Sequence, residues 1–185
     1  MANLADQGNA FVVTDRPQSS YDIFSSADFA AVQKALTQTV ERDALSRVVL
    51  DFLGRGFSRT IMLVNTRGEL RGHDGRGADL WLEMVRQIRI PADAPSRLAG
   101  VMARRRPYLG PLGEATEVDR KIVAAFGKQN PQVLIFPVLL GERVPLLFFG
   151  HVPLAPIDLE RFATLSESIT NALQRMIASQ RQVNP

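Results

Sequence analysis

The stretch Val133–His151, VLIFPVLLGERVPLLFFGH, limits what this chain can become more than any other. Two apolar runs flank Gly141-Glu142-Arg143, so the segment reads as a β-hairpin. Neither of its alternating faces is polar, and each arm carries a proline. A three-residue turn at Gly141-Glu142-Arg143 sets Leu140 opposite Val144, Leu139 opposite Pro145 and Pro137 opposite Leu147, with both prolines where no ladder donor is needed. A two-residue turn puts one proline where a donor is wanted, and a bulge can rescue either choice. In the first register one face holds Leu134, Phe136, Val138, Val144, Leu146 and Phe148. The other holds Ile135, Pro137, Leu139, Pro145, Leu147 and Phe149. At about 25 cal/mol per Å2 of apolar surface, leaving either face in water forfeits many kcal/mol. Both faces must therefore be covered.

The remaining elements supply two covers. Ser26 can cap a helix with Phe29, Val32, Leu36 and Val40 at helical spacing. A second helix carries Leu45, Val48, Val49, Phe52 and Leu53 and stops at Gly54 and Gly56. Arg59–Asn65 and Glu69–His73 read as paired strands across the turn Asn65-Thr66-Arg67-Gly68, with Gly68 at positive φ. The stretch HDGRGADLW reads as a loop entering a short helix near Asp79–Arg86. After it come a short strand at Ile88–Ile90, a helix from Pro95-Ser96 to before Pro107, a short strand at Tyr108-Leu109 and a helix at Glu117–Phe126. A long helix over about Asp158–Ser179 follows the hairpin. This order predicts an α+β fold: a central antiparallel sheet with terminal helices on one face and the crossover segment, residues 72–127, on the other. Residues 1–25 are expected to be an irregular arm with a short strand at Phe11–Thr14, residues 26–180 the domain, and residues 181–185 a tail.

Composition removes several functional classes. There is no cysteine among the 185 residues, which excludes disulfides, thiolate metal sites and cysteine nucleophiles. Basic residues outnumber acidic ones by 22 to 19, and acids are interleaved nearly everywhere, so nucleic acid is not an expected partner. The first residues show no signal-peptide pattern, and no apolar run reaches the roughly 20 residues of a membrane span, so a cytoplasmic location is expected. No metal site and no cofactor are expected.

The hairpin with its following helix, LIFPVLLGERVPLLFF and IDLERFATLSESITNALQRM, resembles the closing strands and final helix of GAF domains, a family of sensory and regulatory modules. The segments ALSRVVLDFLGRG with SRTIMLVN, and IRIPADAPSRLAGVMARRRPYLGP, are similar to earlier parts of that family. The resemblance spans about Phe29–Ile177. It departs from the family at Pro145, where glycine is common. It implies a small-molecule pocket on the sheet face away from the terminal helices, and dimerisation through those helices. Bilin attachment and methionine-sulfoxide reduction in this family use cysteines, which this chain lacks, and the cyclic-nucleotide pattern has no convincing match here.

Candidate residues follow. His73 and His151 are the only imidazoles, and His73 lies in the segment expected to form the pocket. Trp81 and Tyr108 can stack on a planar ligand or serve as core, and Arg97 can bind an anion; with His73 they form the expected ligand set. HDGRG lacks the spacing of a phosphate-binding fingerprint. Arg104-Arg105-Arg106 is the one basic run, suited to an acidic partner or to a helix C-terminus. Phe162, Ile169 and Met176 recur every seven residues. With Leu173 and with Phe29, Val32 and Leu36 of the first helix they are the expected contacts to a second copy or a partner protein. The expected function is a non-catalytic regulatory or interaction module of a bacterial-type signalling system, with small-molecule sensing as the alternative. Amide protons across Ile135–Phe149 should exchange slowly with deuterium; rapid uptake throughout would rule out a hairpin covered on both sides.

Overall fold

The computed structural model describes residues 23–126 and 132–183. Ser26–Gln38 (α1) and Arg42–Gly54 (α2) lead into Phe57–Thr66 (β1) and Glu69–Gly77 (β2). The crossover comprises Leu82–Gln87 (α3), Arg89–Pro91 (β3), Arg97–Arg104 (α4), Tyr108–Pro111 (β4) and Glu117–Phe126 (α5). Gln132–Leu140 (β5), Arg143–Pro153 (β6) and Leu159–Val183 (α6) complete the order. The six strands form one antiparallel sheet ordered β3-β2-β1-β6-β5-β4. The apolar hairpin thus lies inside the sheet, with β1 on one flank and β4 on the other.

Away from the turn the hairpin has the expected register, with Pro137 opposite Leu147 and Phe136 opposite Phe148. At the turn it differs. Leu140 pairs with Arg143, so the loop is the two residues Gly141-Glu142, and a bulge sets Val144 and Pro145 against the single Leu139. The bulge absorbs a proline that cannot donate to the ladder. It also turns Val144 away from Leu146 and onto the opposite face, a correction to the simple alternation.

Both faces are dry. Leu134, Phe136, Val138, Leu146 and Phe148 pack under α1, α2 and α6, whereas Val133, Ile135, Val144, Leu147 and Phe149 pack under α3, α4 and α5. Phe24, Phe29, Phe52, Phe57 and Phe162 form an aromatic knot in the helical layer; Phe24 lies 4.9 Å from Phe52 and 5.3 Å, edge-on, from Phe162. Gly56 is required for this knot, since a Cβ there would fall 1.9 Å from the Phe24 ring. The Ser166 hydroxyl donates to the Pro137 carbonyl and ties α6 to β5.

The knot corrects two expectations. Phe24, assigned to an irregular arm, is 5% exposed and belongs to the core. The proposed contact stripe of Phe29, Val32, Leu36, Phe162, Ile169, Leu173 and Met176 is buried in the chain's own core, because α6 and α1 spend it on the sheet and on each other. These side chains offer no surface to a second copy or a partner.

Local signals moved by a few residues. Ser25, not Ser26, caps α1: its hydroxyl accepts from the Asp28 backbone N–H, and the Asp28 carboxylate accepts in return. The Ser25 hydroxyl, with help from Arg55, holds the Asp28 carboxyl below its ordinary value. Arg67 (φ 54°) and Gly68 (φ 81°) form the tight turn into β2. The stretch His73–Gly77, expected as a loop, is the second half of β2, with His73 the extra residue of a bulge between Leu63–Gly72 and Met62–Asp74. The short helix starts at Leu82 rather than Asp79, which sits at φ 59°. α6 runs to Val183, past the expected start of a tail. The strand expected at Phe11–Thr14 lies outside the described residues. Among the described residues no helix is long and apolar enough to cross a membrane.

Phe162→Ala should cost about 3–5 kcal/mol. The loss should show in the urea midpoint equally at every protein concentration, because all the partners of Phe162 belong to the same chain.

Candidate functional site

The crossover layer leaves a cavity of about 310 Å3 between itself and the sheet. Ile61 and Leu63 of β1 and Phe149 of β6 form its floor, and Ile61 and Phe149 are direct cross-strand partners. Leu80, Met84, Val85 and Ile88 form one wall, Ile90, Pro91 and Leu98 another, and Val118, Ile122 and Ala125 of α5 a third. Among the described residues, Arg89 and Lys121 are the only charged ones on the lining.

Glycines on β2 set the distance from the sheet to α3. A Cβ at Gly72 would fall 1.8 Å from the Val85 carbonyl oxygen, and one at Gly75 would fall 2.8 Å from Leu80 Cδ2. Gly72, and Gly75 within HDGRG, therefore serve close packing of α3 and the turn before it on the strand. The Gly72 amide donates to the Ile88 carbonyl (3.1 Å) and the Ala92 amide to the Gly68 carbonyl (2.8 Å), which hang α3 and β3 on the edge of β2.

The α4 wall is fixed from its N-terminus. Ser96 caps the helix by accepting from the Ala99 N–H at 3.1 Å. The Arg97 N–H donates to Asp119 Oδ1 of α5 at 2.9 Å, so a buried carboxylate lies against the positive end of α4 and joins the two walls. α5 has two apolar stripes. Val123 faces the core, and Val118, Ile122 and Ala125 face the cavity.

The cavity is where the resemblance implied, but the four residues expected to line it do not. Arg97 and Tyr108 do come together, the guanidinium 4.6 Å above the ring, and the Tyr108 hydroxyl donates to the Pro111 carbonyl at 2.6 Å. This pair clamps α4 to β4 outside the lining. Trp81 is 69% exposed at the start of α3. His73 is exposed beside a shallow groove with Arg71, Arg86 and Arg89. Of the basic run, Arg104 ends α4 and Arg105 caps it at φ 55° and pairs with Glu142, whose carboxyl is lowered by that bond; all three arginines are exposed. Among the described residues no three His, Asp or Glu side chains gather as a metal site.

Arg89 and Lys121 were not anticipated. Lys121 Nζ lies 2.6 Å from Glu117 Oε1 one turn away, and its hydrogen bond holds the Glu117 carboxyl below the ordinary value. Arg89 donates from Nη1 to the carbonyls of Arg86 (2.6 Å) and Ile88 (2.8 Å). The available signal was the second apolar stripe of α5, which leaves Lys121 at its border.

The chain matches no family model and no curated protein. Solved structures do match. The GAF domain of a phosphoenolpyruvate-protein phosphotransferase from Coxiella burnetii superposes with a TM-score of 0.63 at 16% identity, over 85% of this chain and 99% of that one. The chromophore-binding domain of a bacteriophytochrome from R. palustris gives a TM-score of 0.65 at 9% identity, over 83% of this chain and 62% of that one. Free methionine-R-sulfoxide reductase from Neisseria meningitidis, solved with its substrate, gives 0.62 at 12% identity, over 82% and 89%. The fold is GAF-like.

Gly72→Ala should destabilise the protein by about 1–3 kcal/mol by driving a methyl into the Val85 carbonyl. Gly100→Ala, in the middle of α4 with nothing beyond its neighbours and the backbone of its own helix within 4 Å of the new methyl, should instead stabilise it by about 0.5–1 kcal/mol. Urea unfolding of the two variants side by side measures the contrast.

Proposed function

We propose that this chain is a non-catalytic sensory or regulatory module of a bacterial-type signalling system, holding a small molecule in the cavity between sheet and crossover. The observation that carries this reading is the cavity itself: about 310 Å3, floored by the sheet and lined by apolar side chains apart from two cations. Among the described residues that line it there is no serine, threonine, histidine or carboxylate, so no nucleophile with a matched base stands among them. The bacteriophytochrome chromophore-binding domain and the phosphotransferase GAF domain among the structures of like fold support a sensory or regulatory role, while the reductase shows that the same fold can also hold a substrate.

The sheet offers a route for the signal. Ile61, Leu63 and Phe149 touch the cavity, and their neighbours on the same strands, Met62 and Phe148, lie in the helical layer with α6. An occupant that favours one position of β1 and β6 therefore biases the seating of α6 and α1 by its differential affinity for the two arrangements. Contacts with a second copy or a partner fall to the outer sides of those helices, since their apolar stripes are buried.

A ligand at 100 times its Kd should stabilise the protein by about 2.7 kcal/mol and raise Tm by roughly 5–10 °C. Ala125→Trp, at an exposed position on the lining, should abolish the rise by filling the cavity. A ligand-induced rise that survives this substitution would place binding elsewhere and overturn the reading.

A further inference from the structure

We infer that the groove at the outer edge of β2, between Arg71, Arg86 and Arg89, binds the doubly charged phosphate group of a phosphate monoester. It is a second site, independent of the cavity and on the other face of the sheet. Residues directly opposite on antiparallel strands share a face. Val64, which packs against the helical layer, stands opposite Arg71, and Arg71 stands opposite Arg89. The next row, Leu70 and Ile90, faces the crossover. Arg89 borders both spaces, but its guanidinium lies on the groove side with Glu69 and Arg71.

The groove, about 310 Å3, brings together cations that the described residues only partly neutralise. Among those residues Glu69 is the one carboxylate paired with any of the three arginines, 2.6 Å from Arg71 Nε and 3.8 Å from Arg89 Nε, and Arg86 has none. Arg71 and Arg89 are direct cross-strand partners, a placement in which like charges repel. Arg89 is held there, because its Nη1 donates to the carbonyls of Arg86 (2.6 Å) and Ile88 (2.8 Å). Arg86 comes from α3, which the Gly72–Ile88 bond hangs on the same strand edge. The repulsion is thus built into the fold, and an anion between the three side chains relieves it. Three guanidiniums against one carboxylate leave an excess that a doubly charged group matches. A planar carboxylate is filled by the paired donors of one guanidinium, whereas donors arriving from β2, α3 and β3 suit a tetrahedral group.

Isothermal titration of the full chain at about pH 8 and low salt, with phenyl phosphate against phenyl sulfate, tests this. The two probes share one shape, and the phosphate carries nearly one charge more. Phenyl phosphate should bind about tenfold more tightly, as one added charge facing three exposed cations at about twofold each would give. Arg71→Gln and Arg86→Gln should each weaken it about fourfold, while Arg104→Gln, at the exposed end of α4, should change nothing. Without anion, Arg71→Gln should not lower Tm, since it ends a like-charge contact. Ala125→Trp, which fills the cavity, should leave phenyl phosphate binding intact; its loss there would place the anion in the cavity and overturn the inference. Phenyl sulfate binding as tightly as phenyl phosphate would overturn the doubly charged group, and binding of neither would overturn the site. An affinity unchanged in both Arg71→Gln and Arg86→Gln would place the anion elsewhere and overturn it as well.

Discussion

A hairpin with no polar face can exist in water only if something lies on each side of it. Leu134, Phe136 and Phe148 on one side and Ile135, Leu147 and Phe149 on the other are all at or below 3% exposure, and the rest of the fold is arranged to make that so. The helical layer must be apolar towards the sheet, which spends the stripes of α1, α2 and α6. The crossover must return across the opposite face before β5 begins, which fixes the strand order and places the two hairpins side by side through β1 and β6.

The two layers meet this demand differently. α6, at 25 residues, runs along the sheet and packs densely with the phenylalanine knot. The crossover helices have 6, 8 and 10 residues and reach the core through few buried side chains, Val85 from α3, Leu98 and Val101 from α4, and Val123 from α5. Short helices held at their ends by Ser96, Asp119 and the Gly72–Ile88 bond cannot all settle to close packing between their anchors. The cavity is what remains between them. The cavity thus arises on the layer that is held by local hydrogen bonds, opposite the layer held by aromatic packing.

Wherever a single element set the pattern, the sequence was legible. Helical spacing located α1, α2, α5 and α6, the turn at Arg67-Gly68 located β1 and β2, and the double apolar alternation of the hairpin gave the layered sheet. Misreadings came where one residue type serves two purposes. Glycine in HDGRG signals a loop, yet Gly75 is small because Leu80 and Val85 lie against it. The seven-residue recurrence of Phe162, Ile169 and Met176 suits a coiled seam, yet it equally suits a helix lying on its own sheet. Arg97 and Tyr108 have the chemistry to bind a planar anion, yet the nearest suitable ring and cation are each other.

By itself the sequence determined that this chain makes an α+β sandwich, because periodicity and the transfer energy of apolar groups act through neighbours along the chain. Only the tertiary structure decided which of those groups face a cavity, since Ile90, Ile122 and Phe149 lie far apart in sequence and share a lining only after β3, α5 and β6 have packed. A void belongs to the mismatch between packed elements, and no single element carries the pattern of it.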